Sequence, residues 1–390
     1  MSTTRQEVNI LDETITASAA SSLTSSEICA LDTSKYDGAT YYFEIVADTS
    51  LSLTNTVTLR RKGTTTDDAT CTIPLLTTLP ARIRSAAFTP PAGALTEYVL
   101  FISSNAGGST TVLAARIVVV QVSLTKTETQ IEIGEAATTS TTTFTTMSLK
   151  VWKYVASSFS GTVTFAWEIV WQASSSKATA TAELQQDDGA FANWTAVGSD
   201  LTTSSATVTR TRSSTFTPVD GRHYRVVVKA ASSKSGFTVF NAKIIIDSSG
   251  AGMTSWRTEY FILNNDTTGS STGAANCLQS WDSREWTAVA NTYLYAHETD
   301  ATGASKLVVG GVTLVTIGAS GNTNQQTASV SMPDSSTCGG GFCLMDTTVN
   351  AITVDASRLI VNVVLATDTG PAFVPNTAIP LGYLPTIVYQ

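Results

Sequence analysis

Apolar residues along this chain recur at every second position or in short unbroken runs, and Gly, Pro, Asp and Ser separate the runs. The first third offers YYFEIV (41–46), TVTLRR (56–61), EYVLFI (97–102) and ARIVVVQ (115–121). The middle offers KVWKYV (150–155), TVTFAWEIVW (162–171), KATATAEL (177–184), YRVVVK (224–229) and AKIIID (242–247). The last third offers EYFIL, TYLYAH, KLVVGGVTLVTI, TASVSM and SRLIVNVV. Val, Ile, Thr and aromatics dominate these runs, as a pleated surface prefers. No window of ten residues holds a 3.6-residue apolar period, and only SSEICAL and ALDTSKYDG suggest a helical turn. Short strands at this spacing predict an all-β chain built as sandwiches or jelly rolls.

The chain also matches itself. RSAAFTP at 84–90 returns as RSSTFTP at 212–218, and Arg84 and Arg212 lie 128 positions apart. TYYFEIVADTS (40–50) pairs with TFAWEIVWQAS (164–174), QEVNILDE (6–13) with TQIEIGEA (129–136), and LAARIVVVQ (113–121) with FNAKIIIDS (240–248). ASRLIVNVV (356–364) reads as a third version of that last strand, with TEYFILNN and TYLYAHETD as its companions. A period this long fits whole domains rather than the ~20–50-residue units of a solenoid. The expectation is three tandem β-sandwich, jelly-roll-like domains at 1–122, 123–250 and 251–366, followed by a Pro-rich extended arm at 367–390.

The repeated Phe-Thr-Pro marks a strand end, since Pro90 and Pro218 cannot donate to a ladder. Phe88 and Phe216 are expected to cap their cores, and Asp220-Gly221 to form a tight turn. Arg82 with Arg84, and Arg210 with Arg212, alternate along a strand and so share a face. That face either pairs with carboxylates on a neighbouring strand or makes a contact between domains or subunits.

Composition narrows the function. Of 390 residues 14% are charged, against roughly 25% in an average soluble domain, and Ser, Thr, Gly and Asn supply the polarity instead. The net charge is −8 and the basic residues are dispersed, so no nucleic-acid-binding patch is expected. No apolar run reaches the ~20 residues of a membrane helix, so no membrane insertion is expected, and the N-terminus shows no secretory signal pattern. The five cysteines are too scattered for a disulfide framework. Cys338 and Cys343 in TCGGGFC allow either a local disulfide or two free thiols.

Candidate chemistry is sparse. His223 and His297 fall in different repeats, and no G-x-S-x-G elbow accompanies them, so no catalytic residue is assigned. The acidic loops TTDD (65–68) and QQDDG (185–189) read as hairpin turns sooner than calcium loops, and neither a metal nor a cofactor is expected. Asn193-Trp-Thr and Asn265-Asp-Thr match a glycosylation sequon by chance on this reading. Trp152 and Trp167 suit the core of the second repeat, whereas Trp171, Trp281 and Trp286 are the candidates for a glycan platform. At the ends, Val8 and Ile10 in the first strand are candidate assembly contacts. So are Ile379, Leu381, Tyr383, Leu384, Ile387 and Tyr389, which lie among four prolines in the last 24 residues. That apolar arm either folds back on its own domain or reaches a neighbour.

The pattern G-T-V-T-F-x-x-E (161–168), then R-x-R-S-x-x-F-T-P-x-D-G-x-x-Y-R-V (210–226), then A-K-I-I-I (242–246) resembles a repeat of structural proteins in tailed bacteriophage virions. The first repeat carries it loosely, and the third keeps only its first and last strands. The resemblance implies a capsid decoration, fibre or tail-associated protein, not an enzyme. It implies a virion particle assembled in the host cytoplasm. Expected partners are other copies of the chain, capsid or tail proteins of the same particle, and host-surface glycans. Two other readings stand beside it: a carbohydrate- or host-receptor-binding module, and a cell-surface filament or layer subunit.

Overall fold

The computed structural model describes residues 4–249 apart from 12–14, 51–54, 74–80, 94, 106–107, 122–124, 135–136, 147–151, 155, 157–158, 160, 189–192 and 234. Beyond them it describes eight strands between Arg257 and Tyr389. The chain divides into two compact units, residues 1–189 with 194–255, and a second made mainly of 256–390.

The first unit opens with β1 (Thr4–Leu11), β2 (Ile15–Ala17), β3 (Ser22–Thr24), β4 (Cys29–Asp32) and β5 (Ala39–Thr49). It continues with β6 (Asn55–Arg61), β7 (Asp67–Ile73), β8 (Ala81–Arg84), β9 (Leu95–Ser103) and β10 (Thr110–Gln121). One antiparallel sheet runs β1-β10-β5-β8, with β2 extending the edge beside β10. The other runs β3-β9-β6-β7, with β4 beside β9. Period-two alternation turns Phe43, Ile45, Leu59, Tyr98, Leu100, Ile117 and Val119 into one core between the two sheets.

The same unit then repeats the plan. Its strands are β11 (Lys126–Gly134), β12 (Ala137–Thr139), β13 (Thr145–Thr146), β14 (Trp152–Lys153), β15 (Thr162–Ala173) and β16 (Ala180–Gln186). β17 (Thr195–Ala196), β18 (Leu201–Thr203), β19 (Thr209–Arg212), β20 (His223–Ala230) and β21 (Phe237–Ser249) complete it. The sheets run β11-β21-β15-β19 and β13-β20-β16-β17. Trp152, on one sheet, meets Phe165 of the other with ring centroids 5.8 Å apart, and Tyr224 at 5.3 Å.

The second unit holds β22 (Arg257–Tyr260), β23 (Cys277–Ser280), β24 (Thr292–Thr299), β25 (Gly310–Gly318), β26 (Gln326–Met332), β27 (Phe342–Thr348), β28 (Arg358–Thr367) and β29 (Thr386–Tyr389). Its sheets run β22-β29-β24-β27 and β23-β28-β25-β26. Counting split edge strands as one, all three sandwiches share the orders 1-8-3-6 and 2-7-4-5, which is jelly-roll connectivity. The protein is all-β, in tandem jelly rolls.

Two expectations change here. RLIVNVV lies in β28, the penultimate strand, between β23 and β25. It is therefore the counterpart of β9 and β20 rather than of the closing strands β10 and β21. The segment 367–390 also contributes more than an extended arm. TIVY lies beyond the last proline, Pro385, so no missing N–H breaks a ladder there. As β29 it pairs with β22 and β24 of its own sandwich.

The repeated Arg-Ser-x-x-Phe motif closes the sixth strand onto the third. Glu44 sits opposite Arg84, and Glu168 opposite Arg212. The next residue replaces a ladder bond with its side chain: Ser85 Oγ accepts from the Phe43 N–H at 3.0 Å, and Ser213 Oγ from the Trp167 N–H at 3.0 Å. Phe88 and Phe216 then donate their N–H groups to the carbonyls of Tyr41 and Phe165, at 2.9 and 2.8 Å. Their rings lie against those same partners. Gly221 follows at φ +76°, a left-handed position in the expected turn.

Candidate functional site

The outer face of the sheet β11-β21-β15-β19 meets the first sandwich along β4, β9 and the turn after β6. Inward alternation places Ile131, Trp167, Ile169 and Ile244 in the second core. The residues between them therefore point outward: Glu128, Gln130 and Glu132 on β11, Glu168 and Val170 on β15, Arg210 and Arg212 on β19, and Asn241 and Lys243 on β21.

Glu168 is 1% exposed and accepts from Arg210 Nη1 at 2.6 Å and Arg212 Nε at 3.0 Å. Arg210 also reaches across to Glu97 of β9 at 3.2 Å, and Lys62 Nζ lies 3.0 Å from that carboxylate's other oxygen. Lys62 donates to the Val208 carbonyl at 3.0 Å as well. Arg212 Nη1 lies 3.3 Å from Glu128 Oε2. Gln130 donates to the Ala30 carbonyl at 2.8 Å, Asn241 to the Ile28 carbonyl at 3.3 Å, and Lys243 to the Asn9 carbonyl at 2.7 Å. Lys35 and Asp247 close the rim at 2.6 Å. Ile28, Val99 and Val170 form an apolar cluster across the join, backed by Val208 and Phe240.

Burial raises the Glu128 carboxyl to about 7, with Arg212 and Gln130 pulling the other way. Burial also opposes ionisation of Glu97, but Lys62 and Arg210 outweigh it and hold that carboxyl below its ordinary value. Burial pushes the Cys29 thiol up to about 12, so it is inert as a nucleophile at neutral pH.

The first sandwich builds the same cluster on its equivalent sheet. Arg116 Nε lies 2.8 Å from Glu44 Oε1 and Arg84 Nε 2.9 Å from Glu44 Oε2, with Glu44 wholly buried. Arg116 is the counterpart of Lys243, and Arg84 of Arg212. The two-arginine face thus combines both expected roles. It pairs with carboxylates on neighbouring strands, and through Arg210 it joins two domains.

Other candidates move. Val8 and Ile10 are fully buried in the first sandwich's own core, because their strand buries one face there, so they are not assembly contacts. Trp171 is fully buried too, with its Nε1–H donated to Thr211 Oγ1 at 3.1 Å, so it presents no stacking face to a sugar. Trp152 and Trp167 fill the core as expected. Trp281, Trp286, Ile379, Leu381, Tyr383, Leu384 and Cys338 lie outside the described residues. Ile387 and Tyr389 are ladder residues of β29, opposite Glu259 and Arg257. Cys343 lies in β27, opposite Glu298.

His223 is buried, with Nδ1 2.7 Å from Asp187 Oδ2, while its N–H donates to Asp187 Oδ1 at 2.8 Å. That pair ties β20 to the QQDDG loop. Asp67 and Asp68 are taken by Arg60 and Arg61, and the Tyr98 hydroxyl donates to Asp68 at 2.7 Å. Among the described residues no group of three His, Cys, Asp or Glu is arranged to hold a metal. No helix there is long and apolar enough to cross a membrane.

Sequence reasoning missed Glu128, Gln130, Glu132 and Lys243. The signal was present, since ETQIEIG alternates polar and apolar residues although both faces are buried, and AKIII sets a lysine inside an apolar run. Only the packing of a second domain shows that the polar face is covered.

No known family model matches the chain, and no curated protein matches it. Among solved structures, it is similar to the N-terminal CBM22-1-CBM22-2 tandem domain from Paenibacillus barcinonensis Xyn10C. That match has 10% identity, covers 67% of this chain and 92% of that one, and has a TM-score of 0.19. It is also similar to a chain of Sulfolobus Turreted Icosahedral Virus, at 12% identity over 99% of this chain and 91% of that one, TM-score 0.19. A third likeness is to a chain from a study of the triple jelly roll fold and turret assembly in an archaeal virus, at 12% identity over 100% and 89%, TM-score 0.17. At such TM-scores the chains do not superpose, so these likenesses say nothing of function.

Proposed function

We propose that this protein is a structural building block of an assembled particle, of the virion type that its repeat pattern resembles. The observation that supports this most is the join in the first unit. Two jelly rolls are fused across a face where charged side chains are buried and engaged with one another, rather than left open toward a cleft. Such a face fixes orientation and register between domains. Rigid, low-charge surfaces rich in Ser and Thr suit packing against further copies and against capsid or tail proteins. Assembly within a host cell, as a decoration, fibre or tail-associated component, is the finer form of the reading.

The test is electron microscopy of the purified full chain together with its mass in solution. Rings, trimers or fibres are the expected result. A particle that stays monomeric at high concentration, and that neither joins purified capsids nor tails, overturns the reading.

A further inference from the structure

We propose that Lys243 and Gln130 are poised to form an isopeptide bond that staples the first strand of the second sandwich to its last. Both residues lie on adjacent strands, β11 and β21, and on the same face. Lys243 is 1% exposed and Gln130 6%, so both sit beneath the first sandwich, away from water. The orientation of the Gln130 amide is determined by its partners. Its Nε2 lies 2.8 Å from both the Ala30 carbonyl and Glu128 Oε1, and the backbone carbonyl only accepts, so the NH₂ group points that way. The amide oxygen is thereby turned to Lys243, whose Nζ is 3.5 Å away. A carboxylate flanks each reacting end: Glu132 Oε1 is 3.9 Å from the Lys243 amine, and Glu128 contacts the amide nitrogen.

The chemistry balances without a co-reactant. Glu132 takes a proton from the Lys243 ammonium. The amine lone pair then attacks Gln130 Cδ, forming the Nζ–Cδ bond. The Cδ–Nε2 bond breaks, and Nε2 collects the protons shed by the amine through Glu128 and Glu132, leaving as ammonium. Ammonium plus carboxamide become a secondary amide plus free ammonium. Burial favours this twice, since a desolvated amine is the better nucleophile and the product is shielded from hydrolysis. The raised Glu128 carboxyl keeps a proton near neutral pH for the departing nitrogen.

The experiment is tryptic peptide mapping by mass spectrometry of the full folded chain. The expected product is a branched peptide joining the segments that hold Gln130 and Lys243, uncut at Lys243 and lighter by one ammonia, about 17 Da. Glu132→Gln and Lys243→Arg should each abolish the branched peptide, while Gln185→Ala, on the opposite sheet, should keep it. Recovery of both segments as ordinary linear peptides from folded protein overturns the proposal. A loss of ammonia that maps to an asparagine instead of this pair overturns it equally, and so does a branched peptide that survives in Lys243→Arg.

Discussion

Glu168 accepts hydrogen bonds from two guanidinium groups while almost fully buried, so removing its charge leaves Arg210 only the more exposed Glu97 and Arg212 only the longer contact to Glu128. Glu168→Gln should destabilise the first unit by about 3–5 kcal/mol, the usual cost of breaking a buried pair from one side. Chemical denaturation of the full chain measures it, and a loss under 1 kcal/mol would mean that solvent reaches the site. Glu128 behaves oppositely. Its carboxyl is raised in the fold, so between about 4.5 and about 7 the folded state holds more protons than the unfolded chain. Its contribution to stability is therefore full at the acid end of that window and lost as pH rises through about 7. Glu97, held low, loses its contribution as pH falls below the ordinary carboxylate value. Glu128→Gln should therefore flatten the fall in the first unit's melting temperature as pH rises through about 7, while leaving the acid limb in place.

At the scale of strands, a bulge in β11 between Glu132 and Gly134 lets the strand hug β21. A Cβ built on Gly134 would stand 2.7 Å from the Ala242 Cβ, too close for any side chain. Gly134→Ala should cost about 1–3 kcal/mol, and Ala242→Gly added to it should recover most of that, which a double-mutant cycle reads directly. This scale also shows what the sequence made legible. The all-β class and the pairing of the first two repeats followed from period-two alternation and from a motif whose Arg, Ser and Phe each make the same contact twice. The third repeat was misaligned because an apolar run such as SRLIVNVV looks alike in any interior strand, and periodicity does not say which. Its true closing strand is four residues long and follows four prolines, too short to register as a pattern. For Val8 and Ile10, likewise, alternation reveals that a face is apolar but not what covers it, and here the first sandwich's own core does.

At the scale of the molecule, the first two sandwiches should unfold together, because Glu97 of one sandwich is held by Arg210 of the other, and Arg210 in turn by Glu168. Glu97→Arg places like charges across the join. Hydrogen exchange on the full chain should then show protection falling in both β9 and β15. If Glu97→Arg leaves β15 fully protected, the two sandwiches are independent.

One shared feature bears on how the chain carries load. In each sandwich the first and last strands are antiparallel neighbours whose outer ends coincide: Thr4 opposite Gln121, Lys126 opposite Ser249, Arg257 opposite Tyr389. Tension applied through the two ends of a domain therefore peels these strands apart like a zip, stressing one pair of backbone bonds at a time, where a sheared pair would resist along its whole length. Such a pair yields at low force, except in the second sandwich, where the proposed Gln130–Lys243 bond would halt the zip a few residues from its outer end.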